Sequence, residues 1–362
     1  MKKWTTKELL EQHKQLLLDL AVEEGKSIVS IADYITDLTG KRCTKGIMNS
    51  IFIKLKISER RRLLIEDVTE EGEKEIPIEA LIKERVAAYN RKEQRYKKHY
   101  RTIKLKAEPI GLLIFGDPHV DNDGCDWPML YEHIKLAQAT EGILAVSVGD
   151  QLDNWVGRLG RLYSNASMLA SDGWRLSEWM FSALQWLAVI GGNHDSWASS
   201  PGIDPMTWLT KKCGVQFYCN DELKINMTWK DRPDLEPVLL YLRHFFRGQS
   251  WYHPTHGSLK EGMFSNAHIL ASGHVHNWAY LQTEMRQNRI THCLSLRGYK
   301  RFDAFAKQKG FYEQQTGYSA LVVIDPLKED HRINVFWDIK EGCQYLTYLR
   351  EKQGVNDVQE DE

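Results

Sequence analysis

The chain has 362 residues, 42% hydrophobic and 10% aromatic, which fits a globular protein of about two domains with enough apolar material for a core. Net charge is −1, and no apolar run approaches the roughly 18 residues of a membrane span, so a membrane partner is not expected. Six cysteines (Cys43, Cys125, Cys213, Cys219, Cys293, Cys343) form no C-x-x-C pair, which argues against a structural zinc module or redox motif.

Lys2 and Lys3 are followed at once by polar residues, unlike a secretory leader, and scattered thiols fit a reducing compartment, so a cytoplasmic protein is expected. The charge is unevenly spread. Residues 1–106 hold 24 Lys+Arg against 17 Asp+Glu, which leaves the remainder acidic by 8. That asymmetry points to nucleic acid for the first part and a carboxylate-rich site for the second, with ordinary solvated helix charge as the alternative.

Residues 1–65 read as short helices. Ile28, Ile31, Ala32 and Ile35 follow helical spacing, and Gly40 breaks the pattern beside Lys41 and Arg42. Thr44 is placed to cap a second helix whose inner face is Ile47, Met48, Ile51, Phe52 and Leu55. Helix, Gly-containing turn, helix resembles the small DNA-binding helix-turn-helix domains of phage and bacterial proteins. In that reading Lys41, Arg42, Lys45, Asn49, Ser50 and Lys54 meet DNA. A plain helical hairpin used for packing or dimer contacts is the other reading. Residues 66–106 form a linker and a basic helix: the acidic stretch Glu66 to Pro77, then "NRKEQRYKKHYRTIKLK", either a connector or a phosphate-backbone contact.

From Ile110 apolar strand-like runs recur, separated by helical stretches, which is an α/β pattern expected to fill residues 107–350. An acidic tail, 351–362, follows. The polar residues of interest lie just past the ends of the runs, where α/β folds place ligand sites. One pair poses the question sharply. His274 and His276 sit two apart after Ile269–Leu270, and on extended chain such residues point the same way. A core would need a hydrogen-bond partner for each, whereas a metal would use both.

In chain order the run ends carry "GDPHVD", "GDQLDN", "GGNHD", "RHFF" and "GHVH". This ordered set resembles the calcineurin-like metallophosphoesterase superfamily, over roughly residues 107–340. Layout and length resemble prophage-encoded members with an N-terminal DNA-binding module. The resemblance implies a four-layer α/β/β/α sandwich behind an N-terminal all-α helix-turn-helix-like domain. It also implies two divalent metal ions, Mn foremost with Fe, Zn or Ni as other candidates; mixed imidazole and oxygen ligands suit Mn, Fe or Zn better than Ca or Mg. Asp117, His119 and His276 would hold one metal and Asn193, His244 and His274 the other. Asp150 would bridge them, with a shared hydroxide as nucleophile. For the fourth motif His244 is favoured, but His253 and His256 follow closely.

By the same resemblance His194 acts without metal, stabilising the transition state or protonating the leaving oxygen, with Asp195 or Asp153 to orient it. Asn154 stands where the superfamily's protein phosphatases carry Arg, which lowers that branch. Asn154 is itself a candidate for substrate binding, and Arg158, Arg161, Arg297, Lys300 and Arg301 are candidates for substrate phosphate. Trp155, Tyr163 and Trp174 are candidates to stack on bases, with core packing as the alternative. The function expected is a metal-dependent phosphodiesterase, foremost a DNA nuclease. The alternatives are a phosphomonoesterase or small-molecule or nucleotide phosphodiesterase, and a DNA-binding assembly or regulatory protein with a secondary metal site. Oligomeric state is not encoded.

Overall fold

The computed structural model describes residues 2–63, 76–155, 157–199, 203–250, 252–285, 288–301 and 316–355. Most of the acidic linker and the last residues of the acidic tail lie outside them, as does the Arg158 side chain. The chain divides into two compact units, Met1–Val86 and Ala87–Glu362.

The first unit is helical: α1 (Thr6–Leu18), a π-helical turn (Asp19–Glu23), α2 (Ile28–Thr39), α3 (Lys45–Lys54) and α4 (Ile57–Leu63), followed by the start of α5 (Ile78–Lys97). Thr5 and Glu8 form a capping box that starts α1. Gly40 ends α2 in the left-handed region, φ 64°, and its N–H reaches Thr36 O. Thr36 Oγ1 also accepts the Cys43 N–H at 2.9 Å, which fixes the turn, and Thr44 caps α3 through the Ile47 N–H. Leu9, Leu17, Leu20, Ile31, Ile35, Met48 and Ile51 are fully or almost fully buried in one cluster. The apolar faces read from residues 28–55 are therefore the inner faces.

Among the described residues the second unit holds twelve strands: β1 (Tyr100–Leu105), β2 (Ile110–Phe115), β3 (Ile143–Ser147), β4 (Trp186–Ile190), β5 (Phe217–Cys219), β6 (Glu222–Trp229), β7 (Val238–Arg243), β8 (Ile269–Ser272), β9 (Ala279–Glu284), β10 (Ile290–Ser295), β11 (Ser319–Ile324) and β12 (Ile333–Phe336). They form two six-stranded sheets, β12-β11-β2-β3-β4-β5 and β1-β6-β7-β8-β10-β9. The helices between them are α6 (Trp127–Gln138), α7 (Ala170–Ala183), α8 (Asn193–Trp197), α9 (Pro205–Lys212), α10 (His256–Ser265) and α11 (Ile339–Lys352).

Leu112 and Ile114 of β2, Val146 of β3 and Ala188 of β4 pack with Ile225 of β6, Leu240 of β7 and Ile269 of β8 in a core shared by the two sheets. On the outer face of the first sheet, Leu113, Phe115 and Val189 meet Leu130 and Ile134 of α6, Phe181 of α7 and Leu346 of α11. On the outer face of the second, Tyr241 and Leu270 meet Leu259 of α10. Helix, sheet, sheet, helix is the sandwich expected. Strands β2, β3 and β4 run parallel, as do β7 and β8, so their C-terminal loops gather at the same edge.

One expectation needs correction. The basic stretch 78–106 is not all helix: it leaves α5 at Lys97, and Tyr100–Leu105 becomes β1, paired parallel with β6. Arg101, Ile103 and Leu105 are half-buried and alternate with exposed Tyr100, Thr102 and Lys104. That period of two is a strand's, hidden in the sequence by the run of cations before it.

Candidate metal centre

Five loops bring the motif residues together. Asp117 and His119 follow β2, Asp150 follows β3, Asn193 opens α8 after β4, His244 follows β7, and His274 and His276 follow β8. Asp117, His119 and Asp150 are buried, at 0%, 1% and 2% exposure, where a lone charge is costly without a counter-charge. His119, Asp150, Asn154, His274 and His276 all have positive φ, between 40° and 69°. For non-glycine residues that conformation costs of order 1–3 kcal/mol each, and such residues cluster at functional sites. Two glycines let the loops close. A Cβ on Gly192 would collide with the Asp150 carboxylate, and one on Gly273 with that of Asp117.

One half of the centre is tightly drawn. Asn193 Oδ1 lies 3.0 Å from His244 Nε2 and 2.9 Å from His274 Nδ1. The two ring nitrogens are 3.1 Å apart, and His244 Nε2 is 3.2 Å from Asp150 Oδ2. His244 Nδ1–H donates to Val148 O at 2.8 Å, which turns the Nε2 lone pair toward this cluster, as a metal-ligating histidine requires. Asp150, His244 and His274 therefore form one group able to hold a cation. His256 stays exposed at the start of α10 and takes no part.

The other half is looser. His276 Nε2 is 3.2 Å from Asp117 Oδ2, which also accepts the His274 N–H at 2.6 Å. His119 Nε2 is 4.0 Å from Asp150 Oδ2, the same oxygen that faces His244. Asp117 Oδ1 and His119 Nε2 are buried and have no hydrogen-bond partner among the described residues. Buried polar atoms of that kind are rare, and a cation would engage both. The residues present therefore fit divalent metal binding.

The electrostatics agree. Burial pushes Asp150 upward, but His244, His119 and His194 outweigh it and hold the carboxyl well below the usual carboxylate range. Burial pushes His244 down, but Asp150 and Asp117 outweigh it and raise the imidazole to about 10, so a cation that takes the Nε2 lone pair must displace the proton these carboxylates favour there. His119 is pulled down to about 4 by burial and by Lys300, so its ring is neutral near pH 7 and free to ligate.

His194 borders both halves. Its N–H donates to Asp150 Oδ1 at 2.9 Å, and its Nε2 is 4.0 Å from Asp150 Oδ2. With His119 and Asp150 it forms a second group close enough to hold a cation. Its Nδ1 meets the main-chain carbonyl of Asp153, and neither the Asp195 nor the Asp153 carboxylate orients the ring. This corrects the expected roles of both. Asp195 accepts the N–H groups of Gly192 and Gln151, at 2.9 and 3.0 Å, and ties the β3 and β4 loops together. Burial and the Asp150 charge raise it to about 7. The Asp153 carboxylate faces His119 Nδ1 at 2.8 Å and accepts from Asn122 and Lys300.

The expected phosphate cations separate. Lys300 is buried, 2.9 Å from Asp153 Oδ1 and 4.9 Å from the Trp155 ring, so it holds the site together rather than facing a substrate. Arg297 is buried too, its guanidinium over the Tyr318 ring at 5.2 Å. The Arg301 main-chain N–H donates to Gly124 O. Arg161 is exposed, on the 3-10 turn Gly157–Asn165. Asn154 Nδ2 is buried without a partner among the described residues. Of the aromatic residues, Trp174 packs in the outer core, and the Tyr163 hydroxyl accepts the Trp155 main-chain N–H at 3.2 Å. Trp155 lies 4.9 Å from the His194 ring, edge to face. In the first unit Lys45, Asn49, Ser50 and Lys54 are exposed along α3 and Arg42 before it, while Lys41 lies over the Trp4 ring at 4.2 Å.

Sequence reasoning missed Trp197, Asp121 and Asn122. Trp197 lies 4.2 Å from the His194 ring, and only its position three residues on in α8 hints at it. Asp121 accepts the Asp153 N–H at 2.7 Å; burial and the Asp153 charge raise it to about 6.

The five motifs that carry the resemblance drawn from the sequence are the ones that meet at this site. No family model and no curated protein matches the sequence. Among solved structures, a zinc-complexed Vps29 from Entamoeba histolytica is 11% identical, with a TM-score of 0.33, over 63% of this chain and 97% of that one. The calcineurin-like phosphoesterase YfkN from Bacillus subtilis is 12% identical with a TM-score of 0.30, over 70% and 99%. A putative 5'-nucleotidase from Staphylococcus aureus is 10% identical with a TM-score of 0.36, over 67% and 58%.

Proposed function

We propose that the chain is a metal-dependent phosphodiesterase whose substrate is DNA. The observation that carries the hydrolytic reading is the shared Asp150 Oδ2, which faces His244 on one side and His119 and His194 on the other. The DNA reading is supported by the excess of basic residues in 1–106 and the exposed polar face of α3.

Two divalent ions held there, Mn²⁺ foremost, would polarise the phosphoryl oxygens and make water a nucleophile at neutral pH. The rest falls to the chain's own side chains. Asp117, His119 and His276 would hold one ion and Asn193, His244 and His274 the other, with Asp150 serving both. The His194 Nδ1–H is committed to the Asp153 carbonyl, so Nε2 is the atom that meets the substrate and carries the proton for the leaving oxygen. Trp155 and Trp197 flank that ring. The Asn154 amide donates its unmatched N–H to a phosphoryl oxygen.

The test is hydrolysis by the full-length protein with added Mn²⁺ of linear, circular and single-stranded DNA. Bis-p-nitrophenyl phosphate and p-nitrophenyl phosphate are run beside them, with His194→Ala as control. DNA cleavage lost in the variant is the expected result. Intact DNA with the small esters hydrolysed would overturn the DNA assignment and leave a small-substrate phosphoesterase.

A further inference from the structure

A cleft of about 660 Å³ opens in the second unit between the C-terminal half of α5, β1 and the strand edge at β5. Its walls carry Arg91, Lys92, Lys98 and Arg101 against a single acidic residue, Asp221. The neighbouring carboxylates are turned to other cations: Glu93 is 3.9 Å from Lys97 and Glu222 is 3.6 Å from Arg243. Inside the cleft, His99 Nδ1 and Arg101 Nε are buried and have no hydrogen-bond partner among the described residues. The Arg101 Nε–H can only donate, and an unmet buried donor is costly.

The cleft is far larger than one phosphate and falls in the usual size range of small-molecule sites. It is also aromatic. The Arg101 guanidinium sits 5.4 Å from the Phe217 ring, and Tyr96 is 53% exposed, edge to face with His99 at 5.2 Å. Cations with accessible rings are the combination that holds phosphates and stacks bases. Asn220, on the lining, packs against Gly191, two residues before Asn193. The C-terminal end of β5 in the cleft thus lies beside the loop after β4 that carries Asn193.

We infer that this cleft is a nucleotide subsite, which takes a phosphate on Arg91, Lys92, Lys98 and Arg101 and a base on Tyr96 or Phe217. The ligand is a segment of single-stranded nucleic acid or a free nucleotide. Only the first source rests on the DNA reading above.

The test uses the full-length protein in EDTA, so that nothing turns over, with 5'-fluorescein-dT12 as probe and fluorescence anisotropy as readout. Lys92→Glu/Lys98→Glu, on exposed positions, is expected to weaken dT12 binding at least 10-fold. It should also flatten the salt dependence by about 1.4 in log–log slope, at roughly 0.7 for each of two phosphates no longer neutralised. Unlabelled AMP that displaces dT12 at equal nucleotide concentration identifies a free nucleotide as the ligand; displacement only by longer oligonucleotides identifies a strand. Wild-type affinity and slope in the double variant would overturn the inference. So would displacement by inorganic phosphate as effective as by AMP, since the base would then contribute nothing. Hydrolysis of bis-p-nitrophenyl phosphate by the same wild-type preparation with Mn²⁺ tests the phosphodiesterase reading alone. If the ester stays intact while the double variant still fails to hold dT12, that reading fails and the subsite stands.

Discussion

The His194 ring is held by the main-chain carbonyl of Asp153, not by a carboxylate. A carbonyl accepts only, so the ring keeps its proton on Nδ1 and presents Nε2 toward Asp150, 4.0 Å away. A ring fixed in this way can pass a proton without being needed to retain metal. His194→Ala is therefore expected to keep its metal content and to cut turnover of bis-p-nitrophenyl phosphate by about 10²–10⁴-fold. Asp150→Asn should lose metal and activity together. Metal analysis beside kcat decides the matter: equal metal loss in both variants would make His194 a ligand.

Lys300 and Asp153 form a buried pair, with both side chains 4% exposed. Removing one partner strands a charge where solvent cannot reach it. Lys300→Met should lower unfolding stability by about 3–5 kcal/mol, read from urea denaturation. A loss under about 1 kcal/mol would mean that Asn122 and His119 suffice to hold the Asp153 carboxylate.

These two cases mark what the sequence could and could not reveal. The residues that meet in the candidate metal centre were legible because His, Asp and Asn bunch at strand ends in short fixed spacings. Thr44 and Gly40 were legible because caps act within a few residues. The partnership of Lys300 with Asp153 spans 147 residues and leaves no local trace, so Lys300 read as an open cation. Asp195 misled for a related reason. Beside a catalytic-looking histidine it suggested an orienting role, yet its oxygens serve backbone N–H groups of two loops. Strand β1 was hidden in a run of positive charge whose alternation shows only once its partner, β6, is known.

His133 gives the acid response a testable component. Burial holds its imidazole down at about 4, and its Nδ1 contacts the Tyr299 and Ser319 hydroxyls at 2.6 and 2.9 Å. Above about pH 6.5 the ring is neutral folded or unfolded. Between about 6.5 and about 4 the unfolded chain takes a proton that the folded one refuses, so stability falls as pH falls, by up to about 1.4 kcal/mol per pH unit. Urea midpoints in EDTA from pH 7 to pH 5 should show a shallower decline in His133→Phe than in the wild type. Parallel declines would mean that the ring titrates normally in the fold.

The α3 surface makes the last prediction. Lys45 and Lys54 are exposed at the two ends of a helix whose other face is closed by Met48 and Ile51, so their charges are free to act on a partner without serving the core. If α3 lies against DNA, each lysine neutralises a phosphate and releases counterions. Lys45→Glu and Lys54→Glu should each reduce the salt slope of duplex binding by about 1 and weaken affinity alike across sequences. Asn49→Ala, by contrast, removes a side chain able to read a base edge, and its effect should depend on sequence, by about 1–3 kcal/mol at the contacted pair. Filter binding of the full-length variants in EDTA at several salt concentrations separates the two behaviours. Unchanged slopes in both lysine variants would turn the hairpin into a packing or dimer element and leave the binding of nucleic acid to the second unit.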